Sequence, residues 1–300
     1  MYDLSSIFLI QSDANDSIWE MYHANTKLSP CHMPPAMKRD DPAVELNDAL
    51  RKIHIEEIEA AVGTGGKRYA TTEKISLPAT WPNGFDQPLK TVLEMRSSQR
   101  EFSPDVLSHD QLSAICRIAC GLKLKSADQE DIVMSSRFIP SAGALYPLEL
   151  YLLSFSPLSG GGASGAPTAE VWHYEPQTHC LERILRCDPG RIRGCFQTWP
   201  ELPPPIVALI TGVPKRQSWK YGPRAYRYTV MESGHAVQNI VLGAAAMDIH
   251  ACPVVGFYDD ALHDLLDIDG VNEVALYTVF VGQRVQCHSN IKNEENESNE

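Results

Sequence analysis

Hydrophobic positions after about residue 85 follow two different periods, which predict a mixture of helices and strands. Apolar residues three or four positions apart predict helices with one buried face. Continuous apolar runs predict strands inside a sheet. The predicted helices are one that carries Leu89, Val92 and Leu93 on one face, followed by 109–122, 224–248 and 259–266. The predicted strands are 148–155, a hairpin of 170–174 and 180–185, then 206–213, 252–257 and 274–281.

The first 85 residues have a less regular pattern, and we assign 1–85 to an N-terminal extension that is partly helical. Apolar residues at helical spacing predict one helix over 43–61. The main domain is expected to cover 86–285, with a flexible glycine-rich connection at 159–167. The acidic segment 286–300 is predicted to be a disordered tail.

Composition narrows the possible partners. The chain has 300 residues, 43% of them hydrophobic, which is ample for one large core. A formal net charge of -12 argues against nucleic acid and anionic membranes as partners. Residues 1–17 lack the basic region of a secretory signal, and the most apolar stretch, 240–257, is too short and too interrupted to span a bilayer. We therefore expect a cytoplasmic protein with no membrane partner.

Cysteine and histidine give no sign of a metal site. The eight cysteines form no CxxC pair, and the ten histidines form no HExxH or similar ligand set. The cysteines are expected to be reduced and mostly buried. We predict that the protein holds no metal.

The first candidate for chemistry is a loop of small residues before the strand at 148–155. Ser141, Ala142 and Gly143 have almost no side-chain bulk, so their backbone can approach a flat ligand and offer amide groups to it. This pattern is typical of a cofactor cradle. A tight turn before a core strand would show the same residues, and the loop alone does not separate the two interpretations.

A basic motif, RSSQREF at 96–102, is the second candidate. In an extended chain Arg96, Ser98 and Arg100 project from the same side. Two guanidinium groups and a hydroxyl suit a phosphate dianion, because arginine keeps its charge and its forked geometry when desolvated. The alternative is that these basic residues only complement the dipole at the end of the preceding helix.

A second basic region, 215–227, contains five lysines and arginines and no acidic residue. Lys220 and Tyr221 are followed by Gly222-Pro223, which predicts that both lie on a loop and reach a pocket. Nearby cations would stabilise a tyrosinate or lower the pKa of the lysine, and either change makes a better general base. A solvated basic loop is the alternative.

Two further segments complete the set of candidates. The apolar segment at 252–257 is suited to lie against an aromatic ring system, although alone it would be a core strand. Arg284, directly after the last predicted strand, is a candidate for a further phosphate contact or a cap on the sheet.

The ordered segments resemble one known family. They are RSSQREF (96–102), RFIPSAGALYPLELY (137–151), KYGPRAYRY (220–228), ESGHAVQNIVLGAAA (232–246), PVVGF (253–257) and VGQR (281–284). Together they resemble the nitroreductase-like flavoproteins, and more narrowly their SagB/ThcOx-type branch, the azoline dehydrogenases of thiazole/oxazole-modified peptide synthesis. The similarity covers about residues 85 to 285. Tyr22-His23 followed by Thr26-Lys27 is similar to the N-terminal pattern of the same branch.

The resemblance implies an α+β fold with a mainly antiparallel central sheet flanked by helices. It implies an intertwined homodimer with one FMN in each of two interfacial sites. Matched position by position, Arg96, Ser98 and Arg100 hold the FMN phosphate and ribityl chain, and Arg284 is a further phosphate ligand. Lys220 and Tyr221 match the catalytic pair. The residues beside the isoalloxazine ring are Pro140, Ser141, Ala142 and Gly143 on one side and Pro253, Val254, Val255 and Gly256 on the other.

The function implied by the resemblance is an FMN-dependent dehydrogenase that oxidises a thiazoline or oxazoline to an azole in peptide natural-product biosynthesis. A cyclodehydratase and a precursor peptide are its expected partners. Two alternatives stay open. One is an NAD(P)H-dependent nitro- or quinone reductase on the same fold, and the other is a flavin-binding scaffold subunit of a cyclodehydratase complex.

Overall fold

A seven-stranded sheet with the strand order β1-β4-β3-β2-β5-β7-β6 lies at the centre of the computed structural model, and every neighbouring pair is antiparallel. The structure describes residues 22–23, 26, 66–69, 73–123, 136–158 and 168–285. The predicted helix at 43–61, the connection at 159–167 and the tail at 286–300 lie outside these residues. The strands are β1 (Lys74–Ser76), β2 (Leu148–Ser154), β3 (Ala169–Glu175), β4 (Cys180–Cys187), β5 (Ile206–Gly212), β6 (His250–Val254) and β7 (Val274–Gly282).

Helices cover the sheet, which confirms the predicted α+β class. The helices are α1 (Leu89–Met95), α2 (His109–Cys120), α3 (Pro189–Arg193), α4 (Lys215–Tyr221), α5 (Ala225–Ala246) and α6 (Asp259–Leu266). Helix α2 begins with a capping box, in which the Ser108 hydroxyl accepts from Gln111 N and the Gln111 side chain accepts from Ser108 N. The face predicted for α1 is only partly right, because Val92 is buried while Leu89 and Leu93 are exposed.

The long helix α5 and helix α2 pack on one face of the sheet. Alternate residues of β2, Leu148, Leu150 and Leu152, point into this apolar core together with the buried residues of both helices. The other residues of β2 point to the opposite face, which α3 and α6 cover at the β7 side. The fold thus has two cores, one on each side of the sheet.

The second face also carries a buried ionic network, formed by Glu149, His173, Glu182, Arg216 and Lys74. His173 lies between two carboxylates, with Nε2 3.0 Å from Glu149 and Nδ1 3.3 Å from Glu182. Arg216 of α4 pairs with Glu149, and Lys74 Nζ lies 2.7 Å from Glu182. Burial opposes ionisation, yet these partners hold the pKa of Glu149 well below its usual range and lower that of Glu182 to about 2. The two carboxylates raise the pKa of His173 against the effect of burial.

Part of the segment assigned to the N-terminal extension joins the sheet. Strand β1 pairs with β4 at the sheet edge. Lys67 N donates to Glu149 at 3.0 Å, and Tyr69 N donates to Glu182 at 2.8 Å. This segment therefore covers the buried ionic network, which supplies acceptors for its backbone amides.

Candidate functional site

The small-residue loop lies directly against the predicted catalytic pair. Gly143, within a short turn at Ala142–Ala144, has a φ of +65° that favours glycine. A Cβ added there would lie 2.7 Å from Tyr221 Oη and 2.9 Å from Lys220 Nζ. Two groups of predicted site residues that are far apart in sequence thus meet. We call Ser141, Ala142, Gly143, Lys220 and Tyr221 the loop half-site.

Lys220 and Tyr221 are not on a loop, and this part of the prediction is wrong. They form the last turn of helix α4, which ends at Gly222 with a φ of +57°. A helix of seven residues is too short to show a clear hydrophobic period, so the sequence pattern missed it. The helical position places both side chains on a defined element.

Tyr221 lies in a partly buried environment of other side chains. The Tyr228 ring is nearly perpendicular to the Tyr221 ring, and the two ring centroids lie 5.1 Å apart. Lys220 Nζ lies 5.5 Å from the centroid of the Tyr221 ring. Burial raises the pKa of Tyr221, and the neighbouring Tyr228 and Glu232 raise it further. The expectation that cations stabilise a tyrosinate at this position is therefore wrong.

Two other cations of the basic region, Arg224 and Arg227, form their hydrogen bonds with residues outside the loop half-site. Arg224 Nε donates to Tyr228 Oη at 3.0 Å, and its Nη1 donates to the Thr26 carbonyl. Arg227 donates to Thr26 Oγ1 and, at 3.0 Å, contacts His23 Nδ1. A piece of the N-terminal extension is thus bound beside the loop half-site.

Glu232, which was not among the predicted site residues, places its carboxylate beneath the loop. Glu232 Oε1 accepts from Ala142 N at 2.8 Å and from Gln217 Nε2 at 2.7 Å. Thr229 Oγ1 in turn donates to Gln217 Oε1 at 3.2 Å. Glu232 is buried, and burial raises its pKa. A signal was present, because Glu232 is the only acidic residue between Arg224 and Met247.

The basic motif runs along the free edge of β6. Ser98 forms a bridge with Ala251, and Gln99 N donates to Ala251 O at 3.1 Å. The chain leaves β6 at Val254, so the motif and the apolar segment 253–256 lie on one edge. Val255 is 63% exposed, and β6 ends at Val254, so the prediction of a strand over 252–257 is wrong at its end. We call Arg96, Ser98, Arg100 and residues 253–256 the edge half-site.

Arginines of the edge half-site differ in what they contact. Arg96 is half-buried and Arg100 is exposed. Within the described residues neither forms an ion pair with a carboxylate, so no carboxylate neutralises the charge of either guanidinium group. Arg284 is exposed and pairs with Asp248. It lines a cavity of about 220 Å³ together with Ser97 and Gln99, not with the three predicted phosphate ligands.

The two half-sites lie apart within one chain. Three strand-to-strand gaps of ~4.8 Å place β2, which follows the loop, ~14 Å from β6. At about 1.5 Å per residue, helix α5 separates Glu232, under the loop, from Ala245, at the cavity beside Arg284, by ~20 Å. In the part of the chain that the structure describes, no hydrogen bond joins the two half-sites.

The described residues offer neither a metal-binding group nor a membrane-spanning helix. They contain no group of three or more His, Cys, Asp or Glu residues that could hold a metal ion. None of their helices combines the length and the apolar character needed to cross a bilayer.

Comparison with known proteins gives one family and several relatives. A family model described as the nitroreductase family matches residues 93–283. MJ1384 of Methanocaldococcus jannaschii, assigned to the nitroreductases by its name, is 31% identical over 201 residues, which are 66% of this chain and 92% of MJ1384. The microcin B17-processing protein McbC of Escherichia coli is 28% identical over 146 residues, 48% of this chain and 53% of McbC.

A solved structure extends the similarity in fold. A chain of the E. coli microcin synthetase McbBCD complex with truncated pro-MccB17 bound has a TM-score of 0.51 and 20% sequence identity. The match covers 90% of this chain and 93% of that one. At this identity the likeness concerns the fold.

Proposed function

The chain belongs to the nitroreductase family, whose members are oxidoreductases, and on this premise we propose that it uses FMN to oxidise a thiazoline or oxazoline ring to an azole in a peptide. The observation that carries the proposal is the position of Lys220 and Tyr221 against the backbone of Gly143. The ordered motifs of the azoline dehydrogenase branch and the match to McbC support the same reaction class.

The two residues have different parts in this proposal. Conversion of an azoline to an azole removes a proton and a hydride equivalent from the ring, and FMN, when bound, accepts the hydride equivalent. A tyrosine phenol is protonated near neutral pH, and burial raises the pKa of Tyr221 further, so its hydroxyl can donate a hydrogen bond. The amine of Lys220 is then the group that takes the ring proton.

The donor groups of the chain fit FMN, which family members typically bind. Arg96, Ser98 and Arg100 supply two guanidinium groups and a hydroxyl for the phosphate. Gly143 has no side chain, which lets Lys220 and Tyr221 lie directly against the loop, so a flat ring bound at the loop backbone would also meet both side chains. These residues would hold the phosphate and face the ring, respectively.

A second copy of the chain is needed to complete each site in this proposal. A flat ring that makes apolar contacts of about 3.5–4.0 Å on each face needs groups on its two sides that lie roughly 7 Å apart. Three strand spacings of ~4.8 Å, about twice that distance in total, separate β2, which follows the loop, from β6, which leads into segment 253–256. We therefore propose a homodimer in which each site combines the loop half-site of one chain with the edge half-site of the other.

Partner proteins follow from the reaction class. An azoline in a peptide is made by cyclising a cysteine, serine or threonine side chain onto the backbone, so a cyclodehydratase must supply the substrate. We propose a cyclodehydratase and a precursor peptide as partners. McbC processes microcin B17, which supports this assignment.

A reductase is the second candidate, because MJ1384 shares more of its sequence with this chain than McbC does. In that case the protein would pass electrons from a nicotinamide to a nitroaromatic or quinone. Such a reaction requires no base that takes a ring proton. The dependence on Lys220 therefore separates the two functions.

The experiment uses the purified full chain loaded with FMN and a synthetic peptide that contains a thiazoline. We expect the peptide to lose two hydrogen atoms, measured by mass spectrometry. Lys220→Ala should slow this reaction about 10²- to 10⁴-fold, the usual contribution of a general base. Lys215→Ala, at the exposed start of the same helix, is the matched control. Nitroaromatic reduction that is unchanged in Lys220→Ala, with no azoline oxidation in the wild type, would establish the reductase instead.

A further inference from the structure

Glu232 connects the three elements that build the loop half-site. It belongs to α5, and its Oε1 accepts from the backbone of the loop at Ala142 and from the Gln217 side chain on α4. Helix α4 carries Lys220 and Tyr221 one turn further on. One oxygen atom therefore fixes the loop and the catalytic helix relative to each other.

The two carboxylate oxygens of Glu232 differ in their hydrogen bonds. Oε2 is buried and has no hydrogen-bond partner within the described residues. A glutamine would offer the same acceptor to Ala142 and Gln217 without burying a carboxylate, which costs free energy when part of it is unpaired. Holding the loop against α4 therefore accounts for the acceptor at this position, and the negative charge needs a second role, toward a neighbouring group.

We propose that Glu232 is a positioning residue of the candidate site, which holds the 141–143 loop against α4 and sets Lys220 and Tyr221 before the Gly143 backbone. This inference rests on the proposed function for its meaning in catalysis, but the positioning itself can be measured without cofactor or substrate. Its negative charge also raises the pKa of Tyr221, which keeps the phenol protonated over a wider pH range.

Hydrogen exchange of the cofactor-free protein tests the positioning. In Glu232→Ala the amide of Ala142 loses its acceptor, and we expect about tenfold faster exchange for peptides that cover 138–147. In Glu232→Gln the acceptor remains, and exchange should stay close to that of the wild type. Glu170→Gln is the matched control, because Glu170 is also buried and accepts from a backbone amide, Leu158 N, at 3.1 Å. Unchanged exchange in Glu232→Ala, or equally fast exchange in both Glu232 variants, would overturn the proposal.

Titration of Tyr221 gives a second readout that does not depend on the alanine variant folding. The phenolate absorbance of cofactor-free protein is recorded with Tyr221→Phe as the reference. Removing the charge in Glu232→Gln should lower the pKa of Tyr221, and an unchanged midpoint would contradict the proposed proximity. If the wild type oxidises no azoline, both measurements still decide the role of Glu232. If it does oxidise azolines while both measurements fail, only the role of Glu232 falls.

Discussion

The loop half-site and the edge half-site are constructed in opposite ways. Buried groups fix the loop half-site from several elements, with Glu232 under the loop and Arg216 tied to Glu149 at the start of α4. The edge half-site carries Arg96 and Arg100 on an accessible edge, without ion pairs to described carboxylates. A fixed environment suits proton transfer, which depends on the placement of atoms, whereas accessible cations suit the capture of an anion. Under the proposed function, this difference assigns the chemistry to one half-site and cofactor binding to the other.

Mixing two defective variants tests whether the two half-sites come from different chains, and it has the largest expected effect. Lys220→Ala damages the loop half-site. The double variant Arg96→Gln/Arg100→Gln damages the edge half-site and should lower FMN affinity by ~10²-fold or more, because two charge-assisted hydrogen bonds are lost. In a mixed dimer one site has both defects and the other has none. Co-expression should therefore restore about a quarter of the wild-type azoline oxidation.

The control for this complementation is each defective variant co-expressed with itself, which should stay at the level of that variant. Analytical ultracentrifugation establishes that mixed dimers form. Mixed dimers without any gain in activity would show that each site is built within one chain, contrary to the proposed arrangement.

The buried ionic network, which reaches the loop half-site through Arg216, makes the stability of the fold depend on pH. His173 has a pKa raised above 6.5, so the stability it contributes is complete below that pH and is lost as pH rises through the raised value. Glu149 and Glu182 have pKa values lowered from 4.5, so their contribution is complete above that pH and is lost on acidification. The network should thus stabilise the fold most between about pH 4.5 and 6.5.

Replacement of His173 tests this pH dependence. His173→Gln leaves two buried carboxylates without their shared cation, and we expect a loss of about 3–5 kcal/mol in the free energy of unfolding at pH 6. The loss should shrink as pH rises through the raised pKa of His173, because the wild type itself then loses the imidazolium. Denaturant unfolding at several pH values measures both effects. A difference between wild type and variant that is constant with pH would show that His173 is neutral in the folded protein.

Gly143 tests how closely the loop must approach the catalytic pair. In Gly143→Ala the new Cβ would meet Tyr221 Oη and Lys220 Nζ, and the positive φ disfavours alanine. We expect azoline oxidation to fall about 10²-fold, the effect of a misplacement on the order of 1 Å. The control is Gly234→Ala on α5, where a Cβ meets nothing within 4 Å. Equal activity of both variants would show that the loop tolerates a side chain at position 143.

Sequence patterns could predict the sheet and most helices because continuous apolar runs and helical periods are local signals. The strands at 206–213 and 274–281 were found within one residue of β5 and β7. The position of Lys220 on α4 was missed because seven residues carry too little periodicity. Buried charges such as Glu149 and His173 were missed because a polar residue in a strand normally indicates a solvent-facing position.

The candidate site was predictable as a set of residues and not as a geometry. Arg96, Gly143 and Tyr221 could be predicted as site residues from their residue types, because each has a chemical property that the proposed site needs. Their distances depend on how strands far apart in sequence pair in the sheet, and no local pattern contains that information. The separation of the two half-sites, on which the dimer proposal depends, therefore emerged only from the fold.

Removal of the ion pair between Arg284 and Asp248 has the smallest expected effect. It tests whether Arg284 binds the phosphate together with the edge half-site. If Arg284 binds the FMN phosphate, Asp248 competes for it. Both side chains are more than half exposed, so the pair contributes about 0–1 kcal/mol. Asp248→Asn should thus tighten FMN binding about threefold in a fluorescence titration and leave riboflavin, which has no phosphate, unchanged. Asparagine suits this position because Asp248 has a φ of +56°. The gain should vanish in the Arg284→Gln background, and a gain that persists there would mean that Arg284 lies outside the phosphate site.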